Sequence, residues 1–190
     1  TEDILKEQEA KFKDRIETRT GTIENWWNDG WGTAAYESGL NKQAQSIVPS
    51  AEIFMTYASM LGYKYDAAEI RKLYDQILNY DEHTWGYNAY DYTLPDYVTE
   101  WDHKRSYAYY AYYMGQDMLQ GAVSYLGSQI NTKGNAIVVF NSNNWVRDDV
   151  VTVEKNDKFP SSYRVVDTNG NVMNCSEENG EVTFIAKSIP

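Results

Sequence analysis

The chain has 190 residues with a formal net charge of −11, from 28 acidic and 17 basic side chains. Displacing counterions from a polyanion takes clustered Lys and Arg; no such stripe exists here, which excludes nucleic acid as a partner. No run approaches the ~18 apolar residues of a membrane span and no apolar leader precedes the first helix, while a single cysteine, Cys175, excludes an internal disulfide framework.

Residues 1 to about 14, with Ile4, Leu5 and Phe12 among Glu and Lys, read as a short charged helix. Arg15 to Thr20 alternates and reads as one strand, which would need a partner because a lone strand is unstable in water. Trp26-Trp27-Asn28-Asp29-Gly30-Trp31-Gly32 is a loop by its turn residues. Its three tryptophans imply burial under a neighbour or the lining of a pocket. From about Thr33 to Leu61 the apolar residues Ala44, Ile47, Val48, Ala51, Phe54, Ala58 and Leu61 share one helical face. Pro49, inside it, removes a donor and predicts a kink.

Asp66-Ala67-Ala68-Glu69 has the form of a capping box, after which Ile70, Leu73, Tyr74 and Ile77 recur at helical spacing until about Asn79. Gly86 to Pro95 is a Tyr- and Asp-rich loop. A long helix then spans about Tyr97 to Ile130, with Trp101, Ala108, Ala111, Met114, Met118, Ala122 and Leu126 inward. Its Tyr-Tyr pairs are too polar-tipped for a coiled-coil seam, so the middle of the chain reads as a helical bundle. After Asn131 the pattern changes. Ala136–Phe140, Val150–Val153, Tyr163–Val166 and Val182–Ile185 read as antiparallel strands, with Asn169-Gly170 and Asn179-Gly180 as type I′ turn signals. The fold class is α+β, a three-helix bundle followed by the first strands of an antiparallel β-domain.

The stretch with the most chemistry is Tyr80-Asp81-Glu82-His83-Thr84-Trp85-Gly86, where a helix gives way to a loop. Imidazole and carboxylate hold a borderline metal or move protons at neutral pH, and a tryptophan offers a flat face on which a sugar can stack. The plainer reading is an exposed helix terminus, with His83 at the negative end of the helix dipole. The chain has only two histidines. His103, in Glu100-Trp101-Asp102-His103-Lys104-Arg105, reads as a surface residue.

Three stretches in this order resemble the glycoside hydrolase family 38 (α-mannosidase) proteins. They are Arg19-Thr20-Gly21…Trp26-Trp27-Asn28-Asp29-Gly30, Asp81-Glu82-His83-Thr84-Trp85-Gly86, and Val138-Val139-Phe140-Asn141…Trp145-Val146-Arg147. In that family a β/α-barrel catalytic domain is followed by a three-helix bundle and then β-sandwich domains. The resemblance therefore implies the end of a barrel and a linker at 1–32, the bundle at 33–132 and the start of a sandwich at 133–190. The expectation is a piece of a larger enzyme.

The family's site holds one zinc ion, with an Asp nucleophile in a retaining mechanism. Two zinc ligands form a His-x-Asp pair in the barrel and a third is the nucleophile. Neither histidine here has Asp two positions later, so none of these is expected within the 190 residues. The fourth ligand is a histidine at the end of a bundle helix, which His83 matches. Better-known relatives carry a His-Asp step there, whereas this chain has Asp81-Glu82 before His83 and Thr84 after it. The substrate-facing residues implied are Asp81, Glu82, Trp85, Trp27 and Asp29, against a carbohydrate bearing α-mannosyl residues. A single imidazole cannot hold zinc usefully, so these residues alone are expected to be inactive and metal-free. Asn141, Trp145 and Arg147 read as a structural corner, and the expected compartment is a bacterial cytoplasm. A different class of reading is a non-catalytic helical carbohydrate-binding or protein-interaction module, suited to a chain with 17 Tyr and 6 Trp.

Overall fold

The computed structural model describes residues 2–15, 17–21, 32, 34–82, 95–132, 134–157 and 159–190, with backbone alone at 97. The elements are α1 (Glu2–Phe12), α2 (Ala35–Ser59), α3 (Ala67–Asp81), α4 (Pro95–Ser128), β1 (Arg147–Glu154), β2 (Cys175–Glu178) and β3 (Glu181–Ile189). The chain is α+β.

α2 buries Leu40, Ala44, Val48, Ala51, Phe54, Met55 and Ala58, a stripe at spacings of three and four that runs past Pro49 without breaking the helix. It ends in a Schellman motif. The Tyr63 N–H reaches Ala58 O and the Gly62 N–H reaches Ser59 O, both at 3.0 Å, with Gly62 at φ +99°. Only glycine adopts that backbone without strain. Four residues later Asp66 caps α3, its carboxylate accepting from the Glu69 N–H at 3.1 Å. That bond holds the Asp66 carboxyl below its usual range. Glu69 points to α4, where Tyr110 donates to it at 2.6 Å.

Side-chain pairs set the helix directions. Asn41 meets Asp81 near the start of α2, and Glu52 meets Tyr74 further along, so α2 and α3 are antiparallel. Glu37 meets Tyr109 and the Leu61 carbonyl meets Tyr125, so α4 runs parallel to α2. Phe54, Ile70, Leu73 and Ile77 are buried in the shared core, with Met118 and Leu126 half-buried against it. α2 and α4 come close at Gly115, where a Cβ would stand 3.1 Å from Val48 Cγ2.

Tyrosine hydroxyls tie this bundle across its seams. Tyr109 donates to Glu37 at 2.9 Å, Tyr74 to Glu52 at 2.8 Å and Tyr110 to Glu69 at 2.6 Å. Each bond is charge-assisted, and each ring adds apolar area to the core. α1, by contrast, buries no side chain, and Ile4 and Leu5 are exposed.

Three strand expectations need correction. Described residues 17–20 are irregular, with Arg19 paired only to its neighbour Glu17. Ala136–Phe140 is not a strand. It forms no ladder, and the Phe140 ring packs edge-on against Phe54 at 5.7 Å, so burial on the bundle replaces sheet pairing. Tyr163–Val166 contributes one bridge, Val166 to Val172. Its Asn169-Gly170 turn is not type I′, since only Gly170 has positive φ and its N–H bonds Asp167 O at 3.0 Å. The hairpin that does form joins β2 to β3. Asn179 (φ 51°) and Gly180 (φ 81°) make the two-residue turn with both residues left-handed, the type I′ geometry.

The sheet order is β1-β3-β2, all antiparallel, with Val182, Phe184 and Ala186 of β3 buried. The free edge of β1 is blunted at Val150, whose N–H bonds the side chain of Asp149 at 2.8 Å. Asn141 joins bundle to sheet. Its Nδ2 donates to the carbonyls of Trp145 (2.8 Å), Ile189 (3.3 Å) and Pro190 (3.2 Å), and its Oδ1 accepts from the Asn143 N–H.

Leu73 is fully buried where the three helices meet, so Leu73→Ala should cost about 3 kcal/mol in urea unfolding. Leu78→Ala, at a position 65% exposed, should change little. Burial and the Glu52 carboxylate push the Tyr74 phenol up to about 12. Its stabilisation is complete below the unfolded value near ~10 and is lost as pH rises through the folded one. Urea midpoints measured at about pH 8 and about pH 11 should therefore differ more in the native chain than in Tyr74→Phe.

Candidate functional site

α3 ends at Asp81, and Glu82 turns out of the helix with ψ 153° while its N–H still reaches Leu78 O at 3.0 Å. This helix end is fastened by side chains of two other helices. Asp81 Oδ1 accepts from Asn41 Nδ2 and Oδ2 from Gln45 Nε2, each at 2.8 Å. Both donors sit on α2, one turn apart. On the opposite side Lys104 of α4 donates to the Asn79 carbonyl at 2.7 Å and pairs with Glu82 Oε1.

These partners are unusually deep. Lys104 is 7% exposed and Asn41 is 1% exposed. Asn41 Oδ1 has no hydrogen-bond partner among the described residues, although its Nδ2 is bound to Asp81. Nearby, Ser38 Oγ meets Tyr80 Oη at 2.9 Å. Glu37, also buried, takes the Tyr109 hydroxyl, a bond that together with burial raises the phenol above its ordinary value. Around them lies a cluster of Ala34, Leu40, Tyr80 and Ala108, with Trp101, Tyr107, Tyr109 and Tyr112 packed against it. This end of the bundle is thus polar inside, while the far end, built on Phe54, Met55, Ile70 and Ala122, is apolar.

Of the residues singled out from sequence, Asp81 and Glu82 sit together at this end. Their oxygens face α2 and α4. His83, Trp85, Trp27 and Asp29 lie outside the described residues. His103 is exposed on α4, its Nε2 2.8 Å from the Tyr107 hydroxyl. Among the described residues no three His, Cys, Asp or Glu side chains converge as a metal would require. Asp81 and Glu82 have amide and ammonium donors on the oxygens a metal would use. The described donors do not fit a zinc ion, and the zinc expectation rests on His83. No described helix is long and apolar enough to cross a membrane. A shallow depression of about 360 Å³ on the sheet, lined by Val150, Asn174, Ser176, Thr183 and Ile185 among others, carries no acid–base pair.

Asn41, Gln45 and Lys104 escaped the sequence reading, yet the first and last leave a trace there. Asn41 interrupts the stripe Leu40-Ala44-Val48, and Lys104 falls at helical spacing between Trp101 and Ala108, where an apolar residue is due. A polar residue on an inward stripe needs a partner. Comparisons with models of protein families, with curated proteins and with solved structures found no match.

Removing the Asp81 carboxylate would leave the buried Asn41 amide with neither polar atom paired. Asp81→Ala should therefore lower unfolding stability by about 1–3 kcal/mol. Gln45→Ala removes a half-buried partner and should cost less than about 1 kcal/mol in the same urea measurement.

Proposed function

We propose that these residues form the helical and first β portion of a zinc-dependent retaining glycoside hydrolase that acts on α-mannosides. The observation that carries the reading is the end of α3. Asp81 and Glu82 are fastened to α2 and α4, and the next residues in sequence are His83-Thr84-Trp85-Gly86. An α+β chain whose middle bundle helix ends two positions before this histidine in sequence, with an antiparallel sheet further on, has the order of parts that the resemblance implies.

In this reading His83 contributes one imidazole to the metal site. Zinc, when bound, orients and polarises sugar hydroxyls. Asp81 and Glu82 serve as anchors for the segment carrying His83. The retaining reaction needs two carboxyl groups about 5 Å apart across the scissile bond. With their oxygens committed to Asn41, Gln45 and Lys104, Asp81 and Glu82 are poor candidates for that pair, and the nucleophile is assigned to another part of the enzyme.

The test uses the protein encoded by the whole reading frame. His83→Ala should lower aryl α-mannoside turnover at least ~100-fold and reduce bound zinc, with little change in the melting temperature. The 190 residues alone should show no turnover. Near-normal turnover and zinc content in His83→Ala would overturn the reading.

One observation favours the non-catalytic alternative. Tyr36 (63% exposed) and Tyr113 (53%) flank Tyr109, which stacks on Tyr113 at 6.4 Å and 13°. Exposed rings of this kind can hold a sugar face. In that case glycan retention would survive His83→Ala and be lost in Tyr36→Ala and Tyr113→Ala.

A further inference from the structure

α2 carries its buried stripe on one side and an exposed apolar stripe on the other. Ile53, Tyr57 and Met60 recur at i, i+4 and i+7, and all three are exposed, Met60 to 78%. Ser46, Pro49 and Ser50 continue the same side of the helix toward its start. From Gln43 to Tyr63 the one charged residue is Glu52, and its carboxylate accepts the Tyr74 hydroxyl of α3 at 2.8 Å. Charged residues make up 24% of the chain, so a stretch of this length with a single, occupied carboxylate departs from its general composition. Exposed Tyr and Met without charge is the make-up of the core of a protein–protein interface.

The stripe fits a copy of itself. About a twofold axis through Ile53, two α2 helices run antiparallel, and residues equally far on either side of 53 face each other. Tyr57 then meets Pro49 of the second copy and Met60 meets its Ser46, a large side chain over a small one each time. Pro49 gains a use thereby. It removes a backbone donor inside a helix that continues past it, and its flat ring is a surface for the phenol. Charge selects the occupant. Two chains of net charge −11 repel, so they can close only through a face without carboxylates. A basic protein would need acidic side chains there and an anionic lipid surface basic ones, and this stripe offers neither. Covering it on both copies removes on the order of 1,000 Å² from water, the lower end of what specific interfaces use.

We infer that the exposed face of α2 is a self-association surface, occupied by a second copy of this chain in an antiparallel α2 pair centred on Ile53. The inference goes beyond the hydrolase reading and does not rest on it.

Sedimentation equilibrium of the 190-residue chain should show a reversible dimer with a dissociation constant on the order of 10 μM. Raising NaCl from about 50 mM to about 500 mM should tighten it, because screening weakens the repulsion between two acidic chains. Tyr57→Glu and Met60→Glu should each weaken the dimer at least ~10-fold, whereas Leu78→Glu, at an exposed position of α3, should not. All three side chains are exposed, so circular dichroism of these variants should match the native chain. In a Cys175→Ser background, Ile53→Cys should give disulfide-linked dimers on mild oxidation, since residue 53 meets its own copy at the axis. Tyr57→Cys should not, being about 12 Å from its counterpart along the helix. A chain that stays monomeric at ~300 μM overturns the inference and leaves the face to a different protein or to lipid. A dimer that Tyr57→Glu leaves intact, or that Ile53→Cys does not cross-link, overturns it as well. None of these readouts involves turnover or zinc, so failure here is distinct from failure of the hydrolase reading.

Discussion

The bundle depends on the shortness of its middle helix. α3 has 15 residues, against 25 in α2 and 34 in α4, and it runs antiparallel to both. Four buried residues, Ile70, Leu73, Ile77 and Tyr80, must therefore serve two neighbours at once, and they recur at i, i+3, i+7 and i+10 to do so. Fifteen residues rise only ~22 Å, so polar clasps at either end carry what the apolar stripe cannot reach. At the start these are Asp66 and the Glu69–Tyr110 pair, and at the finish Asp81 with Asn41 and Gln45 and Glu82 with Lys104.

The abundance of tyrosine follows from the same geometry. A phenylalanine in place of Tyr74, Tyr109 or Tyr110 would fill its space but leave Glu52, Glu37 or Glu69 without that donor. The device recurs in the β region, where Tyr163 donates to Glu177 at 2.6 Å beside Lys155. An acidic chain gains by it, because a hydroxyl donor stabilises a carboxylate without needing a cation, and cations are the minority here.

What could be read from the sequence was the part governed by local periodicity. The stripes of α2, α3 and α4, the Asp66 cap and the Asn179-Gly180 turn all depend on neighbours within a few residues, and the structure has them. Illegible were features decided by distant partners. Ala136–Phe140 has strand-like composition, but Phe140 finds Phe54 more than eighty positions back. Cys175–Glu178 looks too polar for a strand, yet the tight turn folds it onto β3. At the candidate site the sequence pointed to Asp81 and Glu82 as residues free to meet a ligand. Their hydrogen bonds to α2 and α4 span up to forty positions, a separation that no local pattern records.

The amide of Asn141 has a mechanical consequence. β1 begins where β3 ends, Arg147 opposite Ile189, so tension applied at Pro190 against the bundle would peel β3 from β1 one rung at a time. Peeling is the weak loading direction of a sheet, since its bonds break in series. Asn141 lies ahead of the first rung, holding the carbonyls of Ile189 and Pro190 with the same amide that holds Trp145. Load entering at the end of β3 is therefore diverted into the segment packed on Phe54 before it reaches the ladder, and the sheet is shielded by a single side chain outside it.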